Sequence, residues 1–225
     1  MLSRADFEAY GQTTIKLANQ AAEDFARFRE KLDMSDINLA RSEMMDYAKG
    51  LIEKYGGAAS LNAAEFFEKQ TGVANALTEE ALDEDSIEES IRYAIAKDRA
   101  AEIGNPYDAV NKNIARQTKN YAHKTMVANA QKYHARFARV PMGAKTCAFC
   151  MMLASRGFVY YSKKAAGELM QYHNDCDCQI VAGVDDVEGY DPDGLYEDYQ
   201  ASRQEADGTT QSAILAQMRK DYQVK

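Results

Sequence analysis

The chain has 225 residues, a hydrophobic content of 46% and a formal net charge of -8. This composition is typical of a folded protein and argues against wholesale disorder, and the length accommodates one large domain or two small ones. No apolar run approaches the roughly 20 residues that span a bilayer, and the N-terminal segment lacks the apolar core of a secretory signal. We therefore expect a soluble intracellular protein with no membrane partner, in a reducing compartment that disfavours disulfides.

The charge is distributed unevenly along the chain. Residues 79–89 contain seven acids and no base, and residues 185–207 contain nine acids against one base. Residues 108–145 instead carry eight Lys or Arg against one acid. The acidic blocks exclude a protein that binds nucleic acid over its whole surface. The basic stretch is either a solvated helix face or a surface for phosphates or an acidic partner, with Lys112, Arg116, Lys119, Lys124, Lys132, Arg136 and Arg139 as candidate contacts.

Capping patterns and apolar spacing predict long amphipathic helices in the first half. The first begins at Ser3 and continues to about residue 32. The second begins near Ser35 and ends at Gly56–Gly57, and a short helical segment at residues 61–67 stops near Gly72. A Ser86-x-x-Glu89 capping box predicts the start of the next helix, which carries an Ile87, Ile91, Ile95 stripe and ends near Gly104.

Asn105 and Pro106 predict the start of a further long helix, which continues to about Phe137. His123 and His134 would lie on one face of it, roughly 16 Å apart, as surface or boundary residues. A short strand follows at residues 179–183, then an acidic connection at 183–208 and a final helix from about Thr209. The predicted fold class is mainly α, with a small cysteine/histidine knuckle and a short β element near the C-terminal third. Three regions are predicted, residues 1–104, 105–182 and 183–225.

All four cysteines and one of the three histidines lie within residues 147–178. Cys147-x-x-Cys150 and His173-x-x-Cys176 have the spacing of zinc-ligand pairs, so a structural zinc site is predicted. The candidate ligands are Cys147, Cys150, His173, Cys176 and Cys178. Five exceed the usual four, and we favour the first four, with Cys178 as a substitute or a neighbouring thiol. Three alternatives stay open: buried reduced thiols, a disulfide formed after release from the cell, and a Cys nucleophile with His173 as its base in a hydrolase.

Two stretches of this segment, RVPMGAKTCAFCMMLASRG at residues 139–157 and YHNDCDC at 172–178, carry a family resemblance. They resemble the minor capsid proteins of tailed phages that infect actinobacteria, relatives of the Mu F-like head morphogenesis proteins. That family typically closes its domain on a His-x-x-Cys-x-Cys pattern, so the five candidate ligands would be its signature positions. A second histidine often stands where this chain has Asn174, which leaves His173 as the only imidazole ligand.

The resemblance implies a structural, non-enzymatic protein that acts near the portal in head assembly or DNA delivery. Its implied partners are the portal and the major capsid protein, with packaged DNA and further copies of the chain as additional candidates. Its implied location is the host cytoplasm during assembly and then the virion capsid. The alternative from another class is a zinc-knuckle module that binds nucleic acid through residues 108–145.

Overall fold

A computed structural model of the chain describes residues 2–78, 84–100, 108–142, 146–159 and 178–224. These residues form seven helices and one two-stranded sheet. The elements are α1 (Arg4–Arg29), α2 (Ile37–Thr71), α3 (Glu84–Ala100), α4 (Asp108–Lys132), β1 (Phe137–Val140), α5 (Ala148–Ala154), β2 (Gln179–Ala182), α6 (Pro192–Glu205) and α7 (Gln211–Asp221). The predicted fold class, mainly α with a short β element near the cysteines, is confirmed.

The first helix begins where its capping pattern predicts. The Ser3 amide and hydroxyl both donate to the Asp6 carboxylate, at 2.9 and 2.8 Å. The apolar stripe of α1 is buried, and the Tyr10 ring stacks on Phe66 of α2 with 4.4 Å between ring centres. Local caps and helical periodicity were therefore sufficient to place this element.

The predicted end of the second helix at Gly56–Gly57 is wrong, because α2 continues without a break to Thr71. It ends at Gly72, close to which a helix end was predicted, and Gly72 has a left-handed φ of 75°. Gly56 is instead the point where α2 approaches α4: a Cβ built there would lie 2.5 Å from the Tyr121 ring. The absence of a side chain at Gly56 thus allows α2 and α4 to pack closely, and it does not mark the end of a helix.

The third helix buries Ile87, Ile91 and Ile95, as predicted. It already begins at Glu84, so the prediction that Ser86 caps it is wrong. The predicted helix end near Gly104 and the restart at Asn105–Pro106 lie outside the described residues.

The fourth helix ends earlier than predicted. It stops at Lys132, and His134 takes a left-handed φ of 52°. Phe137 consequently begins β1 instead of closing a helix.

The two strands pair antiparallel and are buried throughout. Arg139 lies opposite Ile180 and Val140 opposite Gln179, so these two pairs face opposite sides of the sheet. The side that carries Gln179 faces α4, where the Gln179 Oε1 lies 3.1 Å from His123 Nε2. The strand predicted at residues 179–183 is confirmed, whereas its partner β1 was not predicted.

The acidic segment 183–208 was predicted to be a connection, but it contains α6. Asp191 caps this helix by accepting a hydrogen bond from the Gly194 amide at 2.9 Å, and Pro192 occupies the first turn. The final helix, α7, is confirmed close to its predicted start, with Thr210 as its cap.

Two hydrophobic clusters form the core. The sheet-side cluster joins β1, β2, α5 and α7 to α1, the C-terminal half of α2 and the C-terminal half of α4. The α3-side cluster joins α3 to the remaining parts of the same three long helices. Because α1, α2 and α4 contribute to both clusters, these helices connect the two parts of the core. None of the described helices combines the length and the apolar character needed to cross a membrane.

Candidate metal centre

The first cysteine pair lies at the start of α5. Cys147 is the N-cap residue, in an extended conformation, and its sulfur accepts a hydrogen bond from the Cys150 amide at 3.3 Å. Cys150 follows within the first turn of the helix. The Cys-x-x-Cys spacing thus becomes a capped helical turn that holds both thiols on one short element.

The sheet brings Cys178 to this pair. Cys178 lies immediately before β2, and its Sγ is 3.1 Å from the Cys150 Sγ although 28 residues separate them. Both side chains are buried, as is Cys147, and none of these three thiols forms a disulfide. The sequence favours Cys176 over Cys178 as the fourth ligand, and the structure places Cys178 beside Cys150. His173 and Cys176 lie outside the described residues.

Arg139 lies on the same side of the sheet as the cysteine pair. It is fully buried, and its Nη1 donates to the Cys150 Sγ at 3.6 Å. Its guanidinium carbon lies 5.9 Å from the centre of the Phe149 ring. The prediction of Arg139 as a surface contact is therefore wrong, since a side chain with no exposed area cannot touch a phosphate backbone.

The described part of the site supplies some, but not all, of what a metal ion needs. Within the described ranges, no three His, Cys, Asp or Glu side chains are grouped closely enough to hold a metal ion. Two of the five predicted ligands fall outside those ranges. The Cys150 and Cys178 sulfurs converge to 3.1 Å, closer than the about 3.8 Å that separates two sulfurs sharing a tetrahedral zinc at 2.3 Å. Their burial and convergence suit thiolate ligation of one ion, which would require the sulfurs to move apart by about 0.7 Å.

The chain matches the protein-family model described as VG15 protein over residues 1–202. The chain belongs to the VG15 protein family. This family is phage-related, so the phage origin expected from residues 139–178 is confirmed at that level. The match includes the whole cysteine segment and ends within α6. No curated protein and no solved structure matches the chain.

The two histidines that the structure describes in this VG15 protein, His123 and His134, take no part in the cysteine pair. His123 was predicted to be a surface or boundary residue, but it is fully buried. It contacts Gln179, and adjacent residues of a strand point to opposite sides, so the sheet separates His123 from Cys178. His134 is exposed beyond the end of α4 and does not share a helix face with His123.

The basic residues of α4 do not form a solvated face, because this helix packs against α1, α2, α3 and β2. Lys119 is buried, and desolvation lowers the pKa of the partly buried Arg116. At about 100° per residue, these two share one side of the helix with Lys112, while Lys124 and Lys132 point elsewhere.

The half-buried Lys112 and the exposed Arg136 and Lys132 are engaged within the chain. Lys112 pairs with Asp108 at 2.7 Å, Arg136 pairs with Asp185, and the Lys132 ammonium donates to the Asn75 carbonyl at 3.1 Å. The seven predicted contact residues are thus divided among several surfaces and the core, and the structure does not bring them together.

Proposed function

We propose that this VG15 protein is a structural, non-enzymatic minor component of the phage head that acts near the portal during head assembly or DNA delivery. The observation that carries the proposal is the family match over residues 1–202, which includes the cysteine segment that resembles the minor capsid proteins related to Mu F. The portal or the major capsid protein is the partner that this resemblance favours, and the location is the host cytoplasm during assembly and then the capsid.

The architecture supports a role in contact between proteins. Helix α2 is 35 residues long, which corresponds to about 52 Å. It exposes the large apolar side chains of Ile37, Leu39 and Leu61. A rigid element of this length with exposed apolar side chains is suited to packing against another protein. The acidic segments would keep free copies soluble through mutual repulsion before they dock.

Quantitative mass spectrometry of purified virions and procapsids, beside the infected-cell lysate, tests the assignment. We expect the chain in at least one of the particles at low copy number. Deletion of its gene should leave shells that assemble but are defective in packaging or infectivity. A chain that stays entirely in the soluble lysate and is absent from both particles would overturn the head assignment.

For the cysteine centre, we propose one structural zinc per chain, held by four of Cys147, Cys150, His173, Cys176 and Cys178. The support is the convergence of buried sulfurs from α5 and the start of β2, which would fasten two elements distant in sequence. Elemental analysis of protein purified under reducing conditions should give about one zinc per chain.

Two variants distinguish the contribution of a bound metal to stability from that of ordinary side-chain packing at this centre. Cys147→Ser should lose the metal and unfold the C-terminal half locally, because metal-binding energy contributes to folding. The matched control is Met151→Leu, a buried change in the same helix that keeps every thiol. Metal-free wild-type protein with an intact melting transition would refute the zinc proposal and favour buried reduced thiols.

Packaged DNA is a second candidate partner, favoured by the exposure of Lys132 and Arg136 close together in the chain. A phosphate would have to replace their contacts with the Asn75 carbonyl and with Asp185. Contacts of such bases with DNA go to phosphates, so we expect non-specific binding that weakens steeply as salt rises. Filter binding with the Lys132→Gln, Arg136→Gln double variant tests it. Binding to one sequence that persists at high salt would instead favour a zinc-knuckle regulator.

A further inference from the structure

The burial of Arg139 requires an explanation, because an arginine stays charged at any pH that a folded protein experiences. Removing such a charge from water is costly unless anionic or hydrogen-bonding groups compensate it. Arg139 has no exposed area, and a sulfur atom is one of its partners, because Cys150 Sγ accepts a hydrogen bond from its Nη1. That sulfur lies 3.1 Å from the Cys178 sulfur. The positive charge is therefore placed directly beside the cysteine pair.

We infer that Arg139 is a positioning residue of the cysteine centre, which donates a hydrogen bond to the Cys150 thiolate and balances the charge of the metal–thiolate group. This inference rests on the proposed zinc site. A zinc ion with three thiolates and a neutral histidine carries one net negative charge, and with four thiolates it carries two. One guanidinium neutralises the first arrangement and halves the charge of the second.

The position of Arg139 suits this role on geometric grounds. Arg139 lies in β1 opposite Ile180. Cys178 precedes Ile180 by two residues and therefore faces the same side of the sheet. The Phe149 ring, from the same turn of α5 as Cys150, flanks the guanidinium. Arg139 thus contacts α5 through both a sulfur and an aromatic ring while it is fixed in the sheet. A donor held in this way orients its thiolate before a metal binds.

The test compares Arg139→Met, which removes charge and donor but keeps an unbranched apolar stem, with Arg136→Met as the matched control. Arg136 is exposed and pairs with Asp185, so its loss should not reach the cysteine centre. The readouts are zinc release from the full-length chain to a chromophoric chelator and the thiolate-to-metal charge-transfer band of the cobalt-loaded chain. We expect Arg139→Met to release zinc at least about 10-fold faster, because loss of a hydrogen-bond partner of a ligand typically lowers metal affinity about 10- to 100-fold.

The cobalt band reports on the sulfur itself. A hydrogen bond lowers the energy of the sulfur lone pair, so its loss should move the band of Arg139→Met to longer wavelength. Arg136→Met should match wild type in both readouts. If Arg139→Met and wild type have the same band and release rate, the inference fails while the zinc proposal stands. If wild-type protein binds no metal, both fail.

A measurement on the wild-type chain covers the case in which Arg139→Met does not fold. In protein loaded with cadmium-113, a hydrogen bond from Arg139 to a ligating sulfur should transfer magnetisation from the metal to a guanidinium proton. Observation of this transfer supports the inference. A resolved Arg139 guanidinium resonance without any transfer overturns it.

Discussion

Gly56 and Gly57 are neighbours in α2 but meet different surroundings. A Cβ at Gly56 would overlap the Tyr121 ring, whereas one at Gly57 would have no atom within 4 Å. We predict that Gly56→Ala lowers the free energy of unfolding by about 1–3 kcal/mol, because α2 and α4 must move apart. Gly57→Ala should instead raise it by up to about 1 kcal/mol, since alanine favours the helix. Urea denaturation measures both, and equal effects at the two sites would contradict this interpretation.

Asn129 is a buried polar residue of α4 that fixes the segment following α2. Its Oδ1 accepts a hydrogen bond from the Leu77 amide at 2.7 Å, and its Nδ2 donates to the Leu77 carbonyl at 2.8 Å. The same Nδ2 donates to the Thr125 carbonyl at 2.9 Å. One side chain thus satisfies both backbone groups of Leu77, as a neighbouring strand would.

We predict that Asn129→Asp destabilises the protein by about 1–3 kcal/mol, because a carboxylate cannot donate to the two carbonyls. The matched control is Asn75→Asp, an exposed asparagine in the same segment that Asn129 fixes. Hydrogen exchange at the Leu77 amide should be faster in Asn129→Asp and unchanged in the control. Unchanged exchange in both variants would show that Asn129 does not hold this segment.

Among the helices, the start of α1 is tied to the end of α2 through Asp6. Its carboxylate accepts a hydrogen bond from the Lys69 ammonium at 2.7 Å and also closes the Ser3 capping box. The Lys69 hydrogen bond, followed by those from Ser3, holds the pKa of Asp6 well below its usual range. Because folding favours the ionised carboxylate, this contact stabilises the protein at any pH at which Asp6 is ionised in both the folded and the unfolded state.

The corresponding pH dependence has a definite sign. The stabilisation from Asp6 should be complete above its unfolded pKa of about 3.9 and should be lost as the pH falls towards the depressed folded value. We predict that Asp6→Asn melts below wild type at neutral pH and that the difference closes in acid. Lys69→Met, which keeps the capping box, should show a smaller effect with the same sign. Melting curves across this pH range measure the difference in melting temperature between each variant and the wild type. A difference that does not change with pH would show that ionised Asp6 is not its source.

We predict that the whole molecule unfolds in one cooperative transition, because α1, α2 and α4 each belong to both hydrophobic clusters. Ile114 and Met126 are both fully buried in α4, the first in the α3-side cluster and the second in the sheet-side cluster. Replacing either with alanine should cost about 2–5 kcal/mol. Because α4 belongs to both clusters, each variant should lower the protection of slowly exchanging amides in both by a similar amount. Loss of protection confined to the mutated cluster would show that the two clusters unfold separately.

The sequence by itself determined the features that depend on local interactions. The Ser3 capping box marked the start of α1, because it satisfies backbone groups within a few residues, and Gly72 marked the end of a helix. The Ile87, Ile91, Ile95 stripe indicated a buried face, since helical spacing aligns those side chains. The clustering of the cysteines and their family resemblance likewise required only the order of residues, and the match over residues 1–202 confirms the phage relationship.

Only the tertiary structure decided the features that depend on distant partners. Gly56 resembles a helix end until Tyr121, from another helix, occupies the space beside it. In the sequence, Arg139 is one more base of the basic stretch 108–145, but the pairing of β1 with β2 buries it beside Cys150. A local pattern carries no information about which segment will cover a residue, and the burial of a charge or the role of a glycine depends on that segment.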